Sequence, residues 1–211
     1  MGARKDKLKP TIEKPIDIYN YSGKDSDMPV LEILNERIRR SFQLSLSTHL
    51  RVSTNLTFTQ EKYQFKDWLT ENTQTNCMFI ITLQSVNAPI LLKFDRNFSY
   101  GVIDILTGGT GRDYRAGSDK EMTTLELSLL KDLGCKFIED LNTSRTSVQE
   151  IKANFLKIEE NPQFVGIVSP DSRIINVKYE VEYGGNTGMI EVLYPYSTLF
   201  PLKDKLFSKH T

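Results

Sequence analysis

Arg173-Ile174-Ile175-Asn176-Val177-Lys178-Tyr179-Glu180-Val181-Glu182-Tyr183 alternates with a period of two. Ile175, Val177, Tyr179, Val181 and Tyr183 point one way, and Asn176, Lys178, Glu180 and Glu182 the other, as in a strand with one face on a core. Gly184-Gly185-Asn186-Thr187-Gly188 reads as a hairpin turn into a second strand, Met189–Tyr194. An amphipathic segment, Tyr196 to Leu206, closes the pattern.

The same succession occurs earlier in the chain. Cys77–Leu83 is nearly all apolar, as expected of a strand covered on both faces. Asn87-Ala88-Pro89 turns the chain, Ile90 to Phe94 returns as a strand, and Asn97 to Leu106 sets Phe98, Val102, Ile105 and Leu106 on one helical face. Ile90, Phe94, Asp104 and Leu106 match Ile190, Tyr194, Asp204 and Leu206 at a constant offset.

Each half also opens on a long helix and a strand. A helix is expected from Met28-Pro29, proline suiting the first turn, with Leu31, Leu34, Ile38, Phe42, Leu46 and Leu50 buried and Arg37, Arg39 and Arg40 outside. Val52 to Gln60 alternates as a strand, with Val52, Thr54, Leu56 and Phe58 on one face, and Tyr63 to Leu69, carrying Phe65 and Trp68, reads as a short helix. In the second half, Met122 to Asn142 presents Leu125, Leu129, Leu133, Phe137 and Leu141 as its buried stripe, with Thr123 and Glu126 as a capping box. Ser147 to Glu159 reads as a strand with a bulge near Phe155-Leu156. Two such copies sharing their strands predict an α/β fold: a pseudo-two-fold symmetric α/β/α sandwich, its mixed sheet crossed by two long helices. Residues 1–27, with Arg4, Lys5, Lys7, Lys9, Pro10 and Pro15, read as a mobile tail ending in a partly extended arm, Ile16 to Tyr21; 28–207 form one domain and 208–211 its end.

Composition narrows the functional classes. The 211 residues carry 27 Lys and Arg against 27 Asp and Glu, so global charge makes no case for nucleic acid. Apolar runs fall short of membrane-spanning length and no signal-peptide core follows the N-terminus, so no membrane insertion is expected. Cys77 and Cys135 lack Cys-x-x-Cys spacing and read as small core residues in a reducing, cytosolic setting. The two histidines, His49 and His210, lie too far apart in sequence to imply a zinc site or a triad. No catalytic, cofactor or metal site is assigned.

The halves part company after Leu106. There the first continues into Gly108-Gly109-Thr110-Gly111 and a loop running through Arg112 to Asp119. Three glycines in four positions end a helix and leave open backbone that another surface can approach. A phosphate-binding loop would end in Lys-Ser or Lys-Thr, not Arg112-Asp113, and a dinucleotide fingerprint would precede a helix rather than follow one. Spacing alone leaves a flexible connection and a docking site both open.

Several motifs resemble one family in order and spacing: Glu160-Asn161-Pro162-Gln163-Phe164, Ile167-Val168-Ser169-Pro170, Pro195-Tyr196-Ser197-Thr198-Leu199, Asn35-Glu36-Arg37 with Leu46-Ser47, and the Gly-Gly-x-Gly loop. The chain from Ile16 to Leu206 resembles the middle domain of FliM, a bacterial flagellar motor switch family. The resemblance implies a CheC-like fold and a non-enzymatic place in the rotor's cytoplasmic ring, on the cytoplasmic face of the inner membrane. It implies that Gly108, Gly109, Thr110 and Gly111 dock onto FliG, that the long helices face neighbouring FliM copies, and that contact with phosphorylated CheY is weak. Nothing before Met28 resembles the family's CheY-capturing peptide and nothing after His210-Thr211 its FliN-pairing domain, so the chain reads as an excised middle domain.

The same fold resembles the CheC and CheX phosphatases, which set a Glu and an Asn at Glu-x-x-Asn spacing on the long helices to orient an attacking water. Here the second helix has Asp132-Leu133-Gly134-Cys135 at that place, and a thiol cannot replace an amide that both donates and accepts. Glu32–Asn35 and Glu139–Asn142 have the spacing but lie off the family's register.

Overall fold

A computed structural model of the chain describes residues 29–74, 76–112, 121–144 and 152–207. The expected N-terminal tail, residues 113–119 of the long loop, the start of the strand expected from Ser147, and the chain end at 208–211 lie outside the described residues. The elements run α1 (Pro29–Leu50), β1 (Thr54–Gln64), α2 (Phe65–Glu71), β2 (Cys77–Leu83), β3 (Ala88–Phe94) and α3 (Arg96–Leu106). The second half repeats them as α4 (Thr124–Thr143), β4 (Ala153–Glu159), a 3-10 turn at Pro162–Phe164 in place of α2, β5 (Arg173–Tyr183), β6 (Asn186–Pro195) and α5 (Tyr196–Phe207).

The six strands form one sheet in the order β1-β5-β6-β3-β2-β4. Exchanging the halves reverses this order onto itself, so the sheet has the expected pseudo-two-fold, its axis passing between β3 and β6. Leu92 of β3 lies opposite Val192 of β6, residues related by the sequence offset of the repeat. The opening strand of each half has crossed over: β1 pairs with β5, and β4 with β2. A mixed sheet was expected, but every pairing is antiparallel. Hairpins set β2–β3 and β5–β6 antiparallel, and a two-fold normal to the sheet does the same for the central pair β3–β6. The bulge falls where the faces change, the register between β2 and β4 shifting at Ile80/Ile81 so that Leu156 has no partner.

Long helices cover one face. Leu31, Ile38, Phe42, Leu46 and Leu50 of α1 are buried as expected, Leu34 partly. In α4 the stripe is Leu130, Leu133, Gly134, Phe137, Ile138 and Leu141, whereas Leu125 is 68% exposed because it projects well away from the face that carries Leu130. Thr123 and Glu126 do form the capping box. The Phe42 and Phe137 rings meet edge to face at 5.0 Å between α1 and α4, and Phe137 touches Tyr179 of β5 below. Gly134 has no room for a side chain, its absent Cβ falling 2.5 Å from the Phe79 ring. Arg39, expected outside, lies half-buried against the sheet and donates to the Leu56 carbonyl and to Glu36.

The other face is thinner. Phe65 and Trp68 of α2, with Val165 and Ile167, cover Met78, Ile80, Leu91, Ile174 and Leu193. In their midst Lys93 and Glu191, opposite one another across β3–β6, form a 2.6 Å ion pair with under a tenth of either side chain exposed. The Glu191 carboxylate also accepts from Trp68 Nε1 at 3.1 Å and Asn176 Nδ2 at 2.6 Å, and Lys93 donates to Asn72. Burial pushes this carboxyl's pKa up, but the Lys93 charge and the three donors outweigh it and hold the group below the usual carboxylate range. Breaking one partner of a buried pair is costlier than replacing both. Glu191→Leu is therefore expected to destabilise by about 3–5 kcal/mol, and Lys93→Met with Glu191→Leu by clearly less, as chemical denaturation would measure. Since the folded pKa is depressed, the pair's contribution is present above the ordinary carboxylate range and is lost as pH falls through the folded value.

Candidate functional site

The glycine loop begins at the end of α3, whose seat is set by β5 and β6. Asp95 caps the helix, its carboxylate accepting from Phe98 N at 2.7 Å, while its own N–H donates to the Met189 carbonyl of β6 at 3.0 Å. Gly101 faces Tyr183 at the end of β5 so closely that a Cβ there would overlap the phenol oxygen, which donates to the Asn97 carbonyl at 3.2 Å. Burial pushes the Tyr183 hydroxyl pKa up to about 12, so it stays a neutral donor. Gly188 leaves the same kind of room for Phe98, its absent Cβ lying 2.6 Å from the Phe98 Cβ. Phe79, Phe94, Phe98 and Tyr183 continue this contact as an edge-to-face series from β2 to β5.

Beyond Leu106 the chain does not simply unwind. Gly108 N donates to the Ile105 carbonyl and Gly109 N to the Asp104 carbonyl, at 3.1 and 2.7 Å. The Asp104 side chain then reaches forward and accepts from Gly111 N at 2.6 Å. A Cβ on Gly109 would overlap that carboxylate. Gly111 has φ +78°, in the left-handed region that favours glycine, and its absent Cβ falls 2.6 Å from the Asn186 amide nitrogen. That nitrogen donates to the Thr110 carbonyl at 3.0 Å. Gly108, Gly109 and Thr110 are exposed and Gly111 half-buried, so the four expected residues form one outward turn.

This changes the reason for the glycines. The sequence reading gave them to an approaching partner, but Gly109 and Gly111 have internal occupants, and only Gly108 faces open space. Asp104 and Asn186 hold the turn, and sequence reasoning named neither as part of the candidate site. Asp104 carried a signal, since it matches Asp204 in the repeat and lies in the last turn before the glycines. Asn186 carried none, being far away along the chain.

In the alternative phosphatase pairs one amide is buried in the core and the other is engaged by a strand. Asn35 is fully buried, its side-chain oxygen accepting from Tyr179 and Tyr194 at 2.8 and 3.3 Å. Asn142 spends its amide on β4, donating to the Ala153 carbonyl at 2.9 Å and accepting from Ala153 N at 2.7 Å. Cys135 stands where the second helix would need an Asn. Among the described residues no group of three or more His, Cys, Asp or Glu side chains could hold a metal ion, and no helix is long and apolar enough to cross a membrane.

The pseudo-symmetric sheet with two long helices on one face is a fold shared with solved flagellar switch middle domains. The FliM middle domain of Vibrio alginolyticus superposes with a TM-score of 0.74 at 23% identity, over 84% of this chain and 100% of that one. FliM in a FliG–FliM complex from H. pylori gives 0.75 at 19% identity, over 85% and 97%. The family model described as flagellar motor switch protein FliM matches residues 24–211. The chain belongs to the FliM family. It is 25% identical to FliM of Treponema pallidum over 201 residues, covering 93% of this chain and 58% of that protein, so it spans little more than half of that relative's length.

The fit of α3 on Tyr183 gives a test. Alanine ordinarily stabilises a helix relative to glycine, but Gly101→Ala is expected to destabilise by about 1–3 kcal/mol through overpacking. Tyr183→Phe, removing the oxygen that overlaps, should recover much of that loss in the double variant, read from thermal unfolding.

Proposed function

We propose that this chain is a non-enzymatic scaffold segment of the flagellar motor switch ring and that it docks FliG through Gly108, Gly109, Thr110 and Gly111. The observation that carries the reading is the turn itself: exposed and held in one shape by Asp104 and Asn186. A preset turn of this kind loses little conformational entropy on binding. The H. pylori complex, in which a FliM chain of this fold is crystallised with FliG, supports the choice of partner. The long helices α1 and α4 would face neighbouring copies in the ring, contact with phosphorylated CheY would be weak, and the chain would sit peripherally on the cytoplasmic face of the inner membrane. Residues 28–207 would act as one domain. Phosphatase activity is disfavoured because the Asn35 amide is buried and the Asn142 amide is engaged by the Ala153 backbone.

Thr110 is the cleanest probe of the docking assignment. It is exposed and outside the left-handed region, so a large side chain there leaves the turn intact. Thr110→Arg is expected to lower FliG affinity at least about tenfold in a calorimetric titration, with the melting temperature unchanged. Gly109→Glu should lose binding as well, but also displaces Asp104. Wild-type affinity in both variants would remove the loop from the interface.

A further inference from the structure

The turn that carries Gly108–Gly111 belongs to the first half of the chain, yet one of its two side-chain anchors comes from the second. The β5–β6 hairpin closes through Gly184-Gly185, both with positive φ, as the two-residue turns that match strand twist require. It overhangs the sheet beside α3 and brings three contacts to the glycine turn. Asn186 Nδ2 donates to the Thr110 carbonyl. The same amide fills the place of a Gly111 side chain. Arg112, just past the turn, lies over Gly185, its guanidinium nitrogen 2.7 Å from where a Cβ would be.

We propose that Asn186 is a positioning residue: from the hairpin of the opposite half, its amide holds the Thr110–Gly111 peptide in the shape that docks. The proposal rests on the reading of the turn as the FliG-docking loop and deepens it. The amide is suited to the task because it is a neutral donor whose backbone is fixed by pairing with Tyr183. Asp104 anchors the turn from within α3 through Gly111 N, so the two side chains grip one peptide unit from opposite sides. Without Asn186 the turn keeps its inner anchor and loses its outer one. It then samples other conformations, and affinity falls by the fraction of time spent outside the docking shape.

The test uses Asn186→Ala and the isosteric Asn186→Asp, which keeps the volume but replaces the donor by an acceptor facing a carbonyl. Three readouts are taken on the whole chain: thermal melting, backbone amide NMR shifts and exchange at Gly109, Gly111 and Arg112, and calorimetric titration with FliG. Both variants should melt with the wild type, since the residue is at the surface and the hairpin pairing is backbone-made. The loop amides should shift, Gly111 should exchange faster, and FliG affinity should fall about fivefold. Loop spectra unchanged in both variants would overturn the proposal. A loop that changes while FliG affinity holds, in a protein where Thr110→Arg abolishes binding, would overturn the positioning role and leave the docking assignment standing. A loop that changes in a protein whose wild type does not bind FliG would overturn the docking assignment and leave Asn186 as the anchor of the turn.

Discussion

Everything in this sheet depends on the short pairing between β3 and β6. It is the seam between the halves, and only Leu91–Phe94 and Ile190–Leu193 take part in it. A slip of one residue would send Leu92, Phe94, Ile190 and Val192 to the thin face and push Lys93 and Glu191 under the long helices. The buried ion pair penalises that slip, because a displaced charge would meet no counter-charge, indole or amide. Its contribution is to register more than to net stability, in keeping with the desolvation that any buried pair must offset.

From that seam the rest of the site is built by close approach. Where α3 crosses the end of β5 and the start of β6, Gly101 and Gly188 let Tyr183 and Phe98 in. The helix is thereby set at a fixed height over the hairpin, and its last turn ends within reach of Asn186. The glycine turn is then less a flexible tether than a small rigid structure with an anchor on either side. Its exposed backbone is made available by groups that occupy its interior, not by emptiness. The amides of Asn35, buried, and Asn142, half-buried, belong to the same economy of packing, joining helices to the sheet.

Much of this was legible in the sequence. Period-two and period-3.6 patterns located the strands and helices, and the offset match of Ile90, Phe94 and Asp104 with their counterparts announced the pseudo-symmetry. The capping box at Thr123 and the bulge at Phe155-Leu156 were readable because both are local. Errors came where a distant partner decides the outcome. Leu125 fits a stripe at four-residue spacing, but the buried face runs through Leu130 and Phe137 and leaves it outside. Arg39 looked solvent-facing until β1 supplied the Leu56 carbonyl. The antiparallel pairing of β3 with β6 follows from where the symmetry axis falls, which no single strand records. The glycines were recognised as a turn, but their occupants were not, because an absent Cβ leaves no trace of what fills its place.

The crossing-over of β1 has a further consequence, for the order in which the protein is made. On the ribosome β1 emerges with its own helix, α2 and the β2–β3 hairpin, none of which offers it a strand to pair with. It waits until β5 is synthesised, more than a hundred residues later by the register of Thr54 with Tyr183. Until then the nascent first half holds an unpaired strand and an open β3 edge, the sort of surface that invites wrong pairing. Neither half can complete its sheet alone, so the pairings of β1 and β4 form only once both halves are present, the kind of long-range closure that slows folding.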